Sequence, residues 1–119
     1  NTRKKGQRTF AKALRYAKVV YPHAYLMPLP QISRWSKPQP CDLLVFALDA
    51  PTLLVEVRTN QWGVAKPQTR QLSTLPGTIR KQIWLFETGQ TVPRIREWTQ
   101  GAWRPIDSQE VAGCSAQAS

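Results

Sequence analysis

The chain of 119 residues is poor in the residue types that build thiol and histidine sites. It contains two cysteines, Cys41 and Cys114, far apart in the sequence, and one histidine, His23. Cysteines this distant match neither a metal-ligand spacing nor the dense disulfide framework of a small secreted domain. We therefore expect a reducing, cytoplasmic setting.

Long hydrophobic runs are also missing. The longest segment without a charged residue, from Val19 to Ser33, is interrupted by three prolines. Because a membrane-spanning helix needs about 20 consecutive apolar residues, this segment is too short and too broken to cross a bilayer. With 41% hydrophobic residues and five tryptophans, the chain is nevertheless too apolar for a disordered basic tail. We expect one folded domain over residues 1–107 and a loose tail over 108–119.

Acidic residues are absent from the first 41 positions. That segment holds nine lysines and arginines, whereas residues 42–119 hold eight basic and seven acidic residues. Folding does not require this asymmetry, but a polyanionic partner would explain it, through the electrostatic field and the release of counterions. The distribution predicts nucleic-acid binding, with a merely solvated basic helix as the alternative.

Hydrophobic periodicity predicts an α/β domain with one central sheet covered by helices on at least one side. The expected elements are a helix over 9–21, a strand over 24–29, a proline-rich loop over 30–41, strands over 42–48 and 53–58, a helix over 68–75, a strand over 79–87, and a hairpin of strands 92–98 and 102–106. The hairpin is expected to turn at Gln100-Gly101, and Arg80 and Lys81 are expected on a solvated strand face.

Two acidic residues interrupt otherwise apolar strands. Asp42 begins one strand, and Glu56 stands among the aliphatic residues of the next. Burying a carboxylate is costly unless it is paired or bound to a cation. In a hairpin centred on Ala50, Asp42 would lie opposite Arg58 and Leu44 opposite Glu56. Because side chains alternate between faces, both acids and Arg58 would then share one face.

Two carboxylates placed in this way can hold one hard divalent cation, with waters and the carbonyl of Val57 filling its shell. On a cationic protein such an ion suits phosphodiester hydrolysis, because it neutralises the phosphate and lowers the pKa of a bound water. The alternative is purely structural: Asp42 caps the strand end, and Glu56 forms a salt bridge with Arg58. The spacing alone does not decide between the two.

The sequence Asp42, thirteen residues, then Glu56-Val57-Arg58 resembles the signature of the PD-(D/E)XK nuclease superfamily, which is an acid on one strand and acid–any–lysine on the next. The order of elements over roughly residues 3–87 is similar to that of the archaeal-type Holliday junction resolvases and their phage and bacterial relatives. It includes Lys5-Gly6 before the first helix and Pro40-Cys41-Asp42 before the first acidic strand. The resemblance implies a restriction-endonuclease-like core, a mixed β-sheet flanked by helices, here with a C-terminal β-hairpin.

The same resemblance implies a Mg²⁺-dependent endonuclease, with Mn²⁺ as a substitute ion, that cleaves branched DNA as a homodimer in a prokaryotic or phage context. Asp42 and Glu56 would be metal ligands, and Arg58 would take the position of the catalytic lysine. An arginine does not deprotonate in proteins, so Arg58 cannot be a general base, although it can orient water or stabilise the phosphate charge. The glutamate expected on the first helix is replaced by Phe10. A catalytically inactive DNA-binding protein of the same fold is therefore the alternative.

The residues predicted to contact DNA lie on the basic first helix, in the proline-rich loop, after Glu56, and on the second helix. The resemblance implies contacts from one of two loop serines, Ser33 or Ser36, and from one of two glutamines on the second helix, Gln68 or Gln71. Trp35 is a candidate for stacking on a base, and so is Trp62, which lies outside the set given below. The set is Arg3, Lys4, Lys5, Gln7, Arg8, Lys12, Arg15, Ser33, Arg34, Trp35, Ser36, Lys37, Gln61, Gln68 and Gln71.

Overall fold

The computed structural model describes residues 2–29, 41–48, 50–62, 67–76 and 78–106. These residues form a six-stranded sheet whose spatial order follows the chain, with α2 connecting the one parallel pair, β3 and β4. The elements are α1 (Thr2–Val20), β1 (Tyr25–Pro28), β2 (Leu43–Phe46), β3 (Leu53–Thr59), α2 (Pro67–Thr74), β4 (Arg80–Phe86), β5 (Arg94–Thr99) and β6 (Ala102–Ile106). The predicted mixed α/β sheet with a C-terminal hairpin is confirmed.

The first helix begins seven residues earlier than predicted, at Thr2 instead of Thr9. Its apolar stripe starts at Phe10, and Ala13, Ala17 and Val20 are buried against the sheet. Periodicity therefore reports only the part of the helix that packs. The preceding residues are mostly lysine, arginine and glutamine, whose helix propensities are high, and they extend the helix beyond its packed part.

The two helices pack on opposite faces of the sheet. The face that packs on α1, called the α1 face, contributes a cluster of aliphatic and aromatic side chains from β2, β3 and β4, with the ring of Tyr16 edge-on to Trp84 at 5.2 Å between centroids. The opposite α2 face carries Leu44, Leu54 and Glu56, and Leu72 of α2 packs against it. Alternation along each strand thus separates the two sets of side chains.

The predicted register of the β2–β3 hairpin is wrong by two residues. Leu44 pairs with Leu54, not with Glu56, because β2 ends at Phe46 and leaves a longer turn than expected. Leu48, predicted to end the strand, is 97% exposed and belongs to that turn. A shift of two residues preserves which face each side chain occupies, so the prediction that the two acids share a face is unaffected.

Three turns in the described part of the chain use the left-handed backbone region, at Asn60, at Gly89 and at Gln100-Gly101. Gln100 and Gly101 have φ values of 54° and 76°, as a two-residue hairpin turn between β5 and β6 requires, so the predicted turn is confirmed. Asn60, with φ of 63°, follows the last residue of β3, and its backbone N–H donates to the Phe86 carbonyl at 3.0 Å. The loop residues predicted over 30–40 and the tail over 108–119 lie outside the described residues. No helix in the described part of the chain is long and apolar enough to cross a membrane.

Candidate active site and nucleic-acid surface

Asp42 is fixed between β1 and β3 immediately before β2. Its backbone amide donates to the Val55 carbonyl at 2.8 Å, and its carbonyl accepts from the Leu29 amide at 2.9 Å. Its carboxylate oxygen Oδ2 accepts the backbone N–H of Val57 at 2.8 Å. Asp42 therefore lies across from the segment of β3 that contains Glu56. The observed register brings Asp42 and Glu56 closer together along the sheet than the predicted register did.

Glu56 lies at the centre of a buried polar cluster formed with Arg58 and Thr69, called here the Glu56–Arg58–Thr69 cluster. The glutamate is 1% exposed and the arginine 6%. Arg58 Nε donates to Glu56 Oε2, the Thr69 hydroxyl donates to Glu56 Oε1 at 2.7 Å, and Arg58 Nη2 donates to the Thr69 oxygen at 2.5 Å. Both carboxylate oxygens of Glu56 therefore have protein partners, and the salt bridge considered as an alternative from the sequence is present.

Such a cluster is stable only as a complete unit. Removing an ion from water costs several kcal/mol, and this cost is recovered only when the buried charges are paired and hydrogen-bonded. The cluster meets this condition because α2 places Thr69 over β3. Leu72 lies three residues later on the same side of the helix, and it is buried against Leu54 of β3. The packing of α2 thus fixes the position of the polar groups.

Thr69 is a site residue that the sequence reasoning missed. Gln68 and Gln71 were predicted to reach the site, but for these residues the structure describes only the helix backbone. The signal that could have identified Thr69 is its spacing from Leu72, since a residue three positions before a buried leucine shares its helix face. Phe10 packs against the core of the α1 face, as predicted, so the first helix supplies no acid from that position.

Two more titratable residues are buried on the α2 side. Cys41, next to Asp42, is fully buried, and this burial, reinforced by the Asp42 charge, raises the pKa of its thiol to about 12. Lys81 is 1% exposed, so its predicted place on a solvated strand face is wrong. Because α2 covers that face, Lys81 Nζ donates to the Leu75 carbonyl just after the helix, and burial lowers the pKa of the lysine.

The cationic surface predicted on the first helix is exposed in its described part. Arg8 and Arg15 are exposed and Lys12 is half-buried, at spacings of four and three residues that place them along one side of the helix. The Thr59 hydroxyl at the end of β3 donates to the Thr9 hydroxyl at 2.8 Å, which ties this part of α1 to the sheet end near Arg58. For Arg3, Lys4, Lys5 and Gln7 only the helix backbone is described.

Another cation lies on the α2 face, two strands from Glu56. Arg96 of β5 pairs with Ile83 of β4, and Ile83 pairs with Glu56 of β3. The guanidinium carbon of Arg96 lies 4.0 Å from the centroid of the Trp62 ring. Gln61, a predicted contact, is exposed beside Trp62. The remaining predicted contacts, Ser33, Arg34, Trp35, Ser36 and Lys37, lie outside the described residues.

The sequence matches no protein-family model and no curated protein. Its structure matches the 1.6 Å structure of Hjc, a Holliday junction resolvase from the archaeal hyperthermophile Archaeoglobus fulgidus, with a TM-score of 0.55 and 16% sequence identity. The match covers 90% of this chain and 99% of that one. At this identity the similarity concerns architecture, and it agrees with the fold that the sequence resemblance implied. The chain therefore has the fold of an archaeal Holliday junction resolvase.

Proposed function

We propose that the protein is a Mg²⁺-dependent endonuclease that cleaves branched DNA, with the four-way junction as its favoured substrate. The observation that carries the proposal is the position of Asp42, which is hydrogen-bonded to β3 at Val57, one residue from the buried Glu56. Two carboxylates at neighbouring strand positions can together hold a divalent ion, and this chemistry uses such an ion.

The donor types fit a divalent metal ion. Asp42 and Glu56 would hold it, with the Val57 carbonyl as the expected further ligand, because Mg²⁺ prefers oxygen and is often bound through one or two carboxylates. When bound, the ion would supply a more acidic water and neutralise the phosphate charge. Within the described residues no group of three histidine, cysteine, aspartate or glutamate side chains comes together, so the site would rest on these two acids.

Arg58 and the α1 cations would act on the DNA. Because its guanidinium stays protonated, Arg58 cannot take a proton from water, but its N–H donors can stabilise charge on a phosphate. Along α1, Arg8, Lys12 and Arg15 would follow the DNA backbone, and each phosphate contact releases a counterion. Arg96, held against Trp62, adds a cation on the face that carries Glu56.

A specific observation favours a second candidate, a protein of this fold that binds branched DNA without cleaving it. Glu56 is satisfied by Arg58 and Thr69, so the cluster is complete without an added ion. Phe10 supplies no acid to the site, which leaves two carboxylates where the resemblance implied three. Weak metal binding would follow from both features.

Cleavage of a labelled four-way junction, compared with a matched linear duplex and measured with and without Mg²⁺, tests the proposal. The wild-type protein is expected to cut the junction only with Mg²⁺. Asp42→Asn and Glu56→Gln are expected to abolish cutting while retaining junction binding in a gel-shift assay. Glu87→Gln, at the end of β4, is the matched control because Glu87 pairs with Arg94 at the surface. Absence of cutting by the wild type on junction, nicked and single-stranded DNA would establish the binding-only function.

The homodimer is part of the proposal, because cutting two strands of a junction requires two sites. An exposed apolar patch on β1 and β2 supports it. Tyr25, Met27 and Phe46 are 66%, 38% and 38% exposed, and the rings of Tyr25 and Phe46 lie 6.3 Å apart. Sedimentation equilibrium is expected to give twice the chain mass, and Phe46→Glu is expected to give the monomer. A wild-type monomer on junction DNA would contradict this part. The cytoplasmic, prokaryotic or phage setting stays a prediction.

A further inference from the structure

We infer that Arg58 is the resident cation of the site and that a divalent ion gains access to Glu56 only by replacing its guanidinium. The inference rests on the proposed function, whose metal site it uses, and adds what controls occupation of that site. It assigns two roles to residues of this chain: Arg58 competes with the ion, and Thr69 is a positioning residue that holds Arg58 in the competing position.

The argument starts from the two oxygens of Glu56. Oε2 accepts Arg58 Nε and Oε1 accepts the Thr69 hydroxyl, and the side chain is 1% exposed. Because the side chain has almost no exposed surface, an ion that reaches Oε2 must displace the guanidinium that covers it, while Oε1 is covered by the Thr69 hydroxyl, which Arg58 Nη2 itself holds. At Oε2 the ion and the guanidinium would also be two cations within contact distance of each other, which electrostatic repulsion in a buried site strongly disfavours.

Thr69 makes the competition stronger. Its oxygen accepts Arg58 Nη2 at 2.5 Å while its hydroxyl donates to Glu56 Oε1, so one side chain holds both members of the ion pair. Arg58 is therefore anchored at two nitrogens, and its release breaks two charge-assisted hydrogen bonds. A lysine at this position has its donors on a single nitrogen and lacks the planar fork that reaches the two acceptors from two separate nitrogens.

This arrangement makes the fold independent of divalent ions. The negative charge of Glu56 is already compensated inside the protein, so the wild type needs no metal for stability. Removal of the guanidinium reverses this condition, because Glu56 would then be a buried carboxylate next to Asp42, which an external cation can neutralise. Metal should therefore stabilise a variant without Arg58 far more than it stabilises the wild type.

The test measures Mn²⁺ binding and thermal stability in the absence of DNA. We expect Arg58→Met to bind Mn²⁺ at least about tenfold more tightly than the wild type in calorimetric titration, because the competing cation is gone. Saturating Mn²⁺ should raise the Tm of Arg58→Met by about 5 °C or more and leave that of the wild type nearly unchanged. Equal Mn²⁺ affinities of the two proteins would overturn the inference.

Two control variants separate this site from general metal effects. Arg80→Met removes the arginine of another partly buried ion pair, with Glu97 as its partner, and should gain no Mn²⁺ response. Asp42→Asn combined with Arg58→Met should lose the gain, because one of the two acids is neutralised. A gain in Mn²⁺ affinity for Arg80→Met as large as that for Arg58→Met would contradict the assignment to Glu56.

Thr69 is tested through the same readout. Thr69→Val should raise the Mn²⁺ affinity relative to wild type, since Arg58 loses one anchor, and Thr69→Ser should restore the wild-type value. An unchanged Mn²⁺ affinity in Thr69→Val would contradict the positioning role. If Arg58→Met does not fold, Arg58→Lys keeps a charge but loses the guanidinium fork, and it is expected to bind Mn²⁺ with intermediate affinity. Equality with the wild type would again overturn the inference.

The two proposals fail in different ways. If no variant cuts DNA but Arg58→Met gains Mn²⁺ affinity, the endonuclease function is wrong and the competition stands. If the wild type cuts junctions and its Mn²⁺ affinity does not depend on residue 58, the function stands and the competition is wrong.

Discussion

The two faces of the sheet bury different kinds of side chain. Under α1 the core is mainly aliphatic and aromatic, with Val45, Val55 and Phe86 among its fully or nearly fully buried residues, and the buried Gln82 there carries no charge. Under α2 the protein buries Glu56 and Arg58, which an apolar pair could replace at lower cost in desolvation. The α1 face can be explained by stability alone, whereas the α2 face retains charges that stability does not require. The charges that the α2 face keeps at this cost are the ones to which the proposed function assigns a role.

The largest expected effect comes from breaking the charge pair on the α2 face. Glu56→Gln should lower the free energy of unfolding by about 3–5 kcal/mol, because Arg58 remains as a buried cation with no carboxylate. Urea denaturation measures this loss. Glu87→Gln breaks the exposed Glu87–Arg94 pair and should change stability by less than about 1 kcal/mol. Similar losses in the two variants would mean that the buried Glu56–Arg58 pair contributes no more to stability than an exposed ion pair.

Replacing both charges sharpens the comparison. The double variant Glu56→Leu with Arg58→Met should recover most of the stability lost in Glu56→Gln, and could exceed the wild type by about 1–4 kcal/mol, because no buried charge is left unpaired. The same variant should lose all Mg²⁺-dependent cleavage. Urea denaturation and the junction assay on one preparation give both values. A double variant no more stable than Glu56→Gln would show that the cluster is kept for stability.

The outer side of α1 is expected to contribute to DNA affinity and little to folding. Arg8→Gln and Arg15→Gln should each reduce the slope of log affinity against log salt concentration by about 1, if each residue contacts one phosphate. Fluorescence anisotropy of a labelled junction at several salt concentrations measures the slope. Arg104→Gln, an exposed arginine of β6, is the control. Equal slopes in all three variants would mean that α1 has no special part in binding.

The smallest effect concerns the buried thiol on the α2 side. The pKa of Cys41 is raised to about 12 by burial, so between pH 9 and 12 the native thiol keeps a proton that the unfolded chain loses. Stability should therefore fall as pH rises above 9, by about 1 kcal/mol between pH 9 and 10 at most. The contribution of the Cys41 thiol to the pH dependence of stability is isolated by comparing two proteins that both carry Cys114→Ser, one with Cys41 and one with Cys41→Ala. The same slope in both proteins would exclude Cys41 as its source.

Much of the fold followed from simple periodicities in the sequence. The alternation of side chains along β3 is enough to place Glu56 and Arg58 on one face, and the ion pair between them follows from that placement as one of two alternatives. The register was not predictable, because it depends on where β2 ends, and Leu48 is as apolar as the residues that continue the strand. The role of Thr69 was hidden because it depends on how α2 docks on the sheet, a tertiary relationship that local patterns do not specify.

The hydroxyl pair Thr59–Thr9 has a mechanical consequence. It ties the cation-bearing helix to the residue that follows Arg58 along the strand. Any displacement of the helix along the sheet, such as one imposed by a curved or branched polyanion, must either rupture this tie or pull on the backbone beside the guanidinium. If α1 binds DNA as proposed, this hydrogen bond, together with the packing of α1 on the sheet, would couple DNA binding to the strand segment that holds Glu56 and Arg58.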